Sequence, residues 1–324
     1  MKLSPSTPPF LQKLSAIPAV FFCLFLSVSL PAQDKKPAKP EVEPLTFCFY
    51  NLKNYLAMDR KVDGETQVGA GKPEREIKPL IEALLDIQPD ILGVCEIGSD
   101  EFLRDLQSRL KAGGIDLPHT ELVRDAAGWD RNLALLSRHP IVARNSKDKL
   151  TYTIGELVMP HQRGILDVTV APTETYRLRL VGLHFKSKRE IEEADQALMR
   201  LNEAMLTRKH VDEILEAEPG ANLLVFGDLN DTRNEPPIRT LQGRFGRHNY
   251  LSSLTLRDKY GFAWTHHWSW ADNYSRLDFA LLSKGISPEV SREDSHIYHW
   301  EDWDKASDHR PLVVKITPKD RVVK

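Results

Sequence analysis

The stretch Leu223-Leu224-Val225-Phe226-Gly227-Asp228-Leu229-Asn230-Asp231 is a short apolar run that stops on glycine and then presents a carboxylate and an amide two residues apart. Residues two apart on an extended segment face the same side, so Asp228 and Asn230 can address one phosphate or one metal ion. A plain strand followed by an Asx turn would use the same residues with no chemistry attached. Comparable polar residues stand elsewhere at the edges of apolar runs: Asn51 after Phe49-Tyr50, Glu96 after Ile91-Leu92-Gly93-Val94-Cys95, His184 after Val181-Gly182-Leu183, Asp278 before Phe279-Ala280-Leu281-Leu282, and Asp308-His309 ahead of Leu312-Val313-Val314. Arg163 precedes a further run at 165–170. Each residue alone reads as a loop charge or a turn. Together they collect carboxylates, amides, imidazoles and a guanidinium at strand ends, where α/β enzymes place their ligands.

The elements that must position them alternate in type. Strand composition marks 45–50, 91–95, 120–123, 132–137, 165–170, 176–181, 223–228, 275–282 and 312–316. Helical spacing marks 73–87 and 100–111, with Gly113-Gly114 ending the second. A third helix is expected over 189–217, with Ile191, Ala194, Leu198, Leu201, Met205 and Ile214 against a sheet and its charges on a solvated face. Residues 58–72 read as a loop, 232–260 as irregular, and the segment holding Trp264, Trp268 and Trp270 as another loop.

With 324 residues, 41% hydrophobic and 28% charged, the chain has the composition of an ordinary globular protein. Its first part is different. Lys2 and Lys13 flank or precede an apolar run at 17–30, and Pro31-Ala32 leads into polar Gln33-Asp34-Lys35-Lys36, the pattern of a secretory signal. We expect a signal peptide at 1–32, a flexible Pro- and Lys-rich linker at 33–44, a catalytic domain at 45–318 and a short tail at 319–324, with the mature protein secreted or periplasmic. An uncleaved signal anchor is the alternative. Losing two lysines moves the formal charge from −2 to −4. Such a chain has no global attraction for polyanions, so a polyanionic substrate needs a local basic patch or a metal ion. Cys48 and Cys95 lie in apolar runs and read as buried free thiols, and no Cys/His spacing suggests zinc.

Six pieces, Tyr50-Asn51-Leu52, Asp90-Ile91-Leu92-Gly93-Val94-Cys95-Glu96, Leu183-His184-Phe185-Lys186-Ser187, Gly227-Asp228-Leu229-Asn230, Ser275-Arg276-Leu277-Asp278 and Ser307-Asp308-His309, occur in this order. In this the chain resembles the endonuclease/exonuclease/phosphatase superfamily over nearly the whole expected domain. The resemblance implies an α/β fold, a four-layered sandwich of two packed mixed β-sheets flanked by helices, and a metal-dependent phosphoric ester hydrolase. It implies Mg²⁺ or Mn²⁺ at Glu96, with Asp308 assisting. It further implies His309 as general base or phosphate-polarising group oriented by Asp278, Asp228 positioning the attacking water, Asn230 on a phosphoryl oxygen, and His184 contacting phosphate or protonating the leaving group. Asn51, Arg163 and Lys186 are expected to bind substrate. One departure stands out: where abasic-site endonucleases carry an acidic residue after the Asn, this chain has Lys53 and Asn54.

Lys186, Lys188 and Arg189 either form the required basic patch or begin a solvated helix. The three tryptophans either stack on bases, contact lipid, or pack a loop onto the core. The expected activity is that of a secreted divalent-metal-dependent phosphodiesterase acting by in-line water attack on DNA or RNA. A phospholipid or sphingomyelin phosphodiesterase, a small-molecule phosphatase and a catalytically silent binding module are the alternatives. No protein partner and no stable membrane insertion after signal cleavage are inferred.

Overall fold

The structure is a computed structural model that describes residues 42–321 apart from Asp63. The expected signal peptide and nearly all of the linker lie outside the described residues, as do residues 322–324 of the tail.

Twelve strands build two six-stranded sheets: β1 (Leu45–Tyr55), β2 (Ile91–Ile97), β3 (His119–Val123), β4 (Asn132–Ser137), β5 (Ile141–Arg144), β6 (Leu166–Val170), β7 (Leu178–His184), β8 (Leu223–Asp228), β9 (Ser252–Ser253), β10 (Asp278–Leu282), β11 (Val290–Ile297) and β12 (Leu312–Ile316). One sheet has the order β11-β12-β1-β2-β4-β3 and the other β9-β10-β8-β7-β6-β5. Each holds one parallel pair, β1 with β2 and β7 with β8. Antiparallel β12 lies beside β1, and antiparallel β10 beside β8. Helix α1 (Glu74–Ile87) connects the first parallel pair and α3 (Gln196–Ala217) the second, as parallel pairing requires a crossover. Helix α2 (Asp100–Ala112) follows β2, α4 (Pro236–Gln242) follows β8, and the short α5 (Trp303–Ala306) precedes β12.

The layers follow from alternation along the strands. In β1, Phe47 and Phe49 enter the core between the sheets, whereas Cys48 and Tyr50 pack with Leu80, Leu84 and Leu106 of the helical layer. In β8, Leu224 and Phe226 join the same inter-sheet core, and Leu223 and Val225 face Val211, Ile214 and Leu215 of α3. Helix, sheet, sheet and helix therefore stack in four layers, as the resemblance implied. The Phe226 ring sits 4.8 Å from Phe47 and 5.5 Å from Phe49. Glycine makes room for it on both sides: a Cβ at Gly93 would lie 2.4 Å from Phe226 Cε2, and one at Gly182 2.9 Å from its Cζ. Cys48 and Cys95 are buried free thiols.

Four expectations about elements need correction. Residues 58–72 contain a two-stranded ribbon, Met58–Val62 with Glu65–Ala70, which presents little burial to give an alternating pattern. Residues 232–260 include α4 and β9, and the tryptophan segment forms a hairpin of His266–Trp268 with Asn273–Ser275. The third helix begins only at Gln196, capped by the Asp195 side chain accepting from Leu198 N. Its buried face differs from the expected one: Leu198 and Met205 are exposed, while Arg200, Glu203 and Arg208 are buried.

Candidate active site

Carboxyl ends of the parallel pairs and amino ends of their antiparallel neighbours coincide at one edge of the sandwich. Asn51, Glu96, His184 and Asp228 sit at the first kind of end, and Asp278 and His309 at the second. Local backbone irregularities aim these side chains. In β2 the register slips between Cys95 and Ile97, and Glu96 takes φ +60°, a left-handed conformation unusual for glutamate. The bulge turns Glu96 toward the cleft and lets Ile97 continue into the helix-side core. A matching slip in β1 between Asn51 and Tyr55 places Lys53 and Asn54 in left-handed conformations. Asn54 N–H thereby donates to Glu96 Oε2 at 3.0 Å. Asn230 is left-handed as well, and its N–H donates to Asp228 Oδ1 at 2.9 Å.

The side chains meet in a dense polar cluster. His309 Nδ1 lies 2.8 Å from Asp278 Oδ2, and its Nε2 faces Asp228 Oδ2 at 3.7 Å. Asn51 Nδ2 donates to Asp228 Oδ2 at 3.1 Å and reaches Glu96 Oε1 at 3.4 Å. His184 Nε2 stands 3.8 Å from Glu96 Oε1 and 3.7 Å from Asp228 Oδ2, beyond hydrogen-bond range. Ser307 fastens the loop, donating from Oγ to Asn51 O at 2.8 Å and accepting from His309 N at 3.1 Å.

Burial and charge set the protonation of these groups. Burial alone would push the His309 imidazolium down, but the carboxylates of Asp278, Asp228 and Asp308 outweigh it and raise the group to about 10. Burial pushes the Asp228 carboxyl up to about 7, with His309 opposing and Asp278 and Glu96 adding to the rise. His184 is driven the other way by burial and then by the Arg163 charge, so its imidazole stays neutral. His266, whose ring centre lies 4.6 Å from that of His309, is held down at about 4 by burial and by the His309 charge. The cluster thus contains one charged imidazole and two neutral ones.

A hard divalent cation fits this donor set. Glu96, Asp228 and Asp278 bring carboxylates to a small space that holds one compensating imidazolium, and Asp278 Oδ1 is buried with no hydrogen-bond partner. Oxygen-rich, negatively charged sites suit Mg²⁺ or Mn²⁺. Among the described residues, the potential ligand atoms of Asp228, Asp278 and His309 lie within 4.8 Å of one another, so this triad could bind a metal. Its Asp278–His309 hydrogen bond, however, has the geometry of an oriented imidazole. Glu96, with a side chain 17% exposed toward the same space, is the more open carboxylate.

Other expected site residues are placed less centrally. Arg163 is buried, with Nε 3.6 Å from Asp125 Oδ2 and Nη1 donating to Gln162 Oε1. Asp308 is half-buried, its Oδ1 3.5 Å from Ser307 Oγ and its carbonyl accepting from His267 N. Asn230 Nδ2 is engaged by Phe185 O at 3.0 Å and Asp228 Oδ2 at 3.3 Å, so it braces Asp228. Lys186 is not brought to the cluster: its ammonium donates to the carbonyls of Ser187 and Arg189, and the residue is buried. Lys188 pairs with Asp231 at 3.1 Å and Arg189 is exposed, so the basic tract after His184 divides into a buried ammonium, an ion pair and a solvent-facing guanidinium. Two neighbours carry no signal in the sequence, Arg131, whose Nε donates to Asn54 Oδ1 at 2.9 Å, and His266; Asn54 stood out there only as a departure from the family pattern. Asn54 stands where abasic-site endonucleases carry a carboxylate and offers a backbone amide to Glu96 instead.

The family model described as "Endonuclease/Exonuclease/phosphatase family" matches residues 66–309. No curated protein matches the sequence. Among solved structures, the human Nocturnin catalytic domain with bound sulfate anion is similar with a TM-score of 0.59 at 17% identity, covering 86% of this chain and 95% of that one. Truncated Caenorhabditis elegans TDP2 has a TM-score of 0.57 at 14% identity, covering 85% and 98%. Sphingomyelinase C from Streptomyces griseocarneus has a TM-score of 0.55 at 17% identity, covering 84% and 99%. At these identities the likeness is one of fold.

Proposed function

The chain belongs to the endonuclease/exonuclease/phosphatase family, whose members are metal-dependent phosphoester hydrolases, and we propose that it is an exported phosphodiesterase that cleaves DNA or RNA by in-line attack of water. The observation that carries this reading is the Asp278–His309 pair facing Asp228 across 3.7 Å, with Glu96, Asn51 and His184 around the same space. An imidazolium with Nε2 turned to the cleft can donate to a phosphoryl oxygen as negative charge builds there. Asp278 fixes its orientation at Nδ1. Asp228, braced by Asn51 and Asn230 and poised near neutrality, is suited to take a proton from water. A Mg²⁺ or Mn²⁺ ion held by Glu96 would neutralise the phosphoryl oxygens. Neutral His184 offers a contact to phosphate or to the leaving oxygen.

One flank favours a polynucleotide. A hairpin with Trp268, Trp270 and Tyr274 exposed is bridged at its base to His309, and exposed rings can stack on bases. A phospholipid phosphodiesterase is the second reading, favoured by the acidic residues Glu301, Asp302 and Asp304 beside Trp303 on that flank, which suit a neutral interface better than a polyanion. The test is a comparison of plasmid DNA, RNA and sphingomyelin liposomes with Mg²⁺, Mn²⁺ or EDTA. Metal-dependent release of acid-soluble nucleotides supports the nuclease reading, and turnover of the lipid alone replaces it. Export is checked by N-terminal sequencing of protein recovered outside the cytoplasm, which we expect to begin near Gln33.

A further inference from the structure

Thr265 lies outside every motif that pointed to the site, yet it is fully buried, and its N–H, its carbonyl and its hydroxyl oxygen are each engaged next to the Asp278–His309 pair. Its Oγ1 accepts from the backbone N–H of Leu277 at 3.0 Å and of Asp278 at 3.1 Å. Its carbonyl accepts from Arg310 N at 2.7 Å, one residue beyond His309. Its own N–H donates to Ser275 O at 2.9 Å, at the foot of the tryptophan hairpin. One residue thus joins the segment that carries Asp278, the loop that carries His309 and the hairpin between them. Leu277 also receives Leu229 N at its carbonyl at 2.9 Å, which extends the connection to the turn after Asp228.

Arg310 strengthens the same knot from below. Its guanidinium lies over the Trp264 ring, 3.3 Å from the centroid, and Nη1 donates to Asp258 Oδ2 at 2.6 Å. The residue is 1% exposed, so the backbone on which it sits has little freedom. Because Thr265 O and Arg310 N are bonded, the position of His309 is referred to Thr265 on one side, while Oγ1 refers Asp278 to it on the other. A hydroxyl has two lone pairs and can serve both amides, which no apolar residue of similar shape can do.

From this geometry we propose that Thr265 is a positioning residue for the reaction, setting the distance and angle between Asp278 and His309 through its hydroxyl. The inference rests on the proposed role of that pair. Loss of the hydroxyl leaves two buried N–H groups without their acceptor and releases the start of β10. The pair then loosens without losing either member, and displacement by about 1 Å is enough to lower turnover on the order of a hundredfold.

The experiment compares Thr265→Ser, Thr265→Ala and Thr265→Val with wild type and His309→Ala on bis(p-nitrophenyl) phosphate with Mn²⁺. Both kcat and KM are measured at a temperature where thermal melts show each protein folded. Serine and alanine differ by the hydroxyl alone, so this comparison decides the matter even if the valine variant fails to fold. We expect Thr265→Ser to keep kcat within about threefold of wild type and Thr265→Ala to lose on the order of a hundredfold in kcat with KM little changed. Equal kcat for the Ser and Ala variants, beside an inactive His309→Ala, would overturn the role of Thr265 alone. Full activity in His309→Ala would overturn the reading of the pair and this inference with it.

Discussion

Glu96, Asn54 and Asn230 share a property that ordinary strand ends lack: each non-glycine residue holds a positive φ beside the carboxylate cluster. Such conformations cost roughly 1–3 kcal/mol apiece for residues that disfavour them, and they persist where surrounding structure imposes them. Here the result is a glutamate aimed into the cleft, with a backbone amide on one oxygen and the other left near Asn51 and His184. The open carboxylate argues that Glu96 is the main protein ligand for the metal. Glu96→Gln is therefore expected to weaken Mn²⁺ binding, measured by titration calorimetry, by on the order of a hundredfold, at least as much as removal of an outer partner costs. Unchanged affinity would move the ion to the Asp228, Asp278 and His309 triad. The identities of Glu96 and Asn230 were legible because each stands at the end of an apolar run. Their aim was not, since a one-residue bulge leaves no trace in composition, and Asn54 contributes through its backbone, which every residue type possesses.

Helix α3 shows where reading by element falls short. Its apolar positions suggested one buried face, but the face against the second sheet carries Arg200, Glu203 and Arg208, each committed to a loop. Glu203 accepts from Gln162 N at 3.1 Å and Lys186 N at 2.7 Å, and so anchors the two loops that follow or precede Arg163 and His184. A periodicity rule assigns charges to solvent and misses a buried carboxylate whose partners are backbone amides from distant segments. Glu203→Ala leaves both amides unpaired at about 1–3 kcal/mol each, so we expect a loss of roughly 2–6 kcal/mol in urea unfolding. Asp167 in β6 offers a pH signature. Burial pushes its carboxyl up, but Arg179 at 2.7 Å and His210 at 2.8 Å outweigh burial and hold it below the usual range. A carboxyl depressed in the folded state adds stability that is fully present above its unfolded value, near pH 4, and is lost as pH falls through the folded value. Wild type should accordingly lose stability more steeply than Asp167→Asn below about pH 4. Parallel curves for the two proteins would contradict the ion pair's contribution.

At the scale of the whole molecule, two similar strand arrangements face each other, and the cleft lies where the ends of both parallel pairs and of their antiparallel neighbours meet. Phe226 locks that arrangement by entering the space left by Gly93 and Gly182 on facing sheets. Its position two residues before Asp228 ties inter-sheet packing directly to the site. Phe226→Ala is expected to cost about 3–5 kcal/mol in thermal or urea unfolding, the range for emptying a large aromatic site in a core. Individual strands and helices were legible as patterns, and the four layers followed from the family resemblance that the motifs at strand ends carry. The pairing of particular strands, the ribbons and the Thr265 knot were not, because they depend on contacts between segments far apart in the chain. The central claim is that the strand-end cluster performs metal-dependent phosphodiester hydrolysis. Its most direct test is the hydrolysis of bis(p-nitrophenyl) phosphate by wild type, Glu96→Ala and His309→Ala, each with Mn²⁺ and after EDTA. We expect wild-type turnover to require the metal and to fall on the order of a hundredfold or more in either variant while both remain folded. Turnover that survives EDTA, or that is equal in wild type and both variants, would contradict the account.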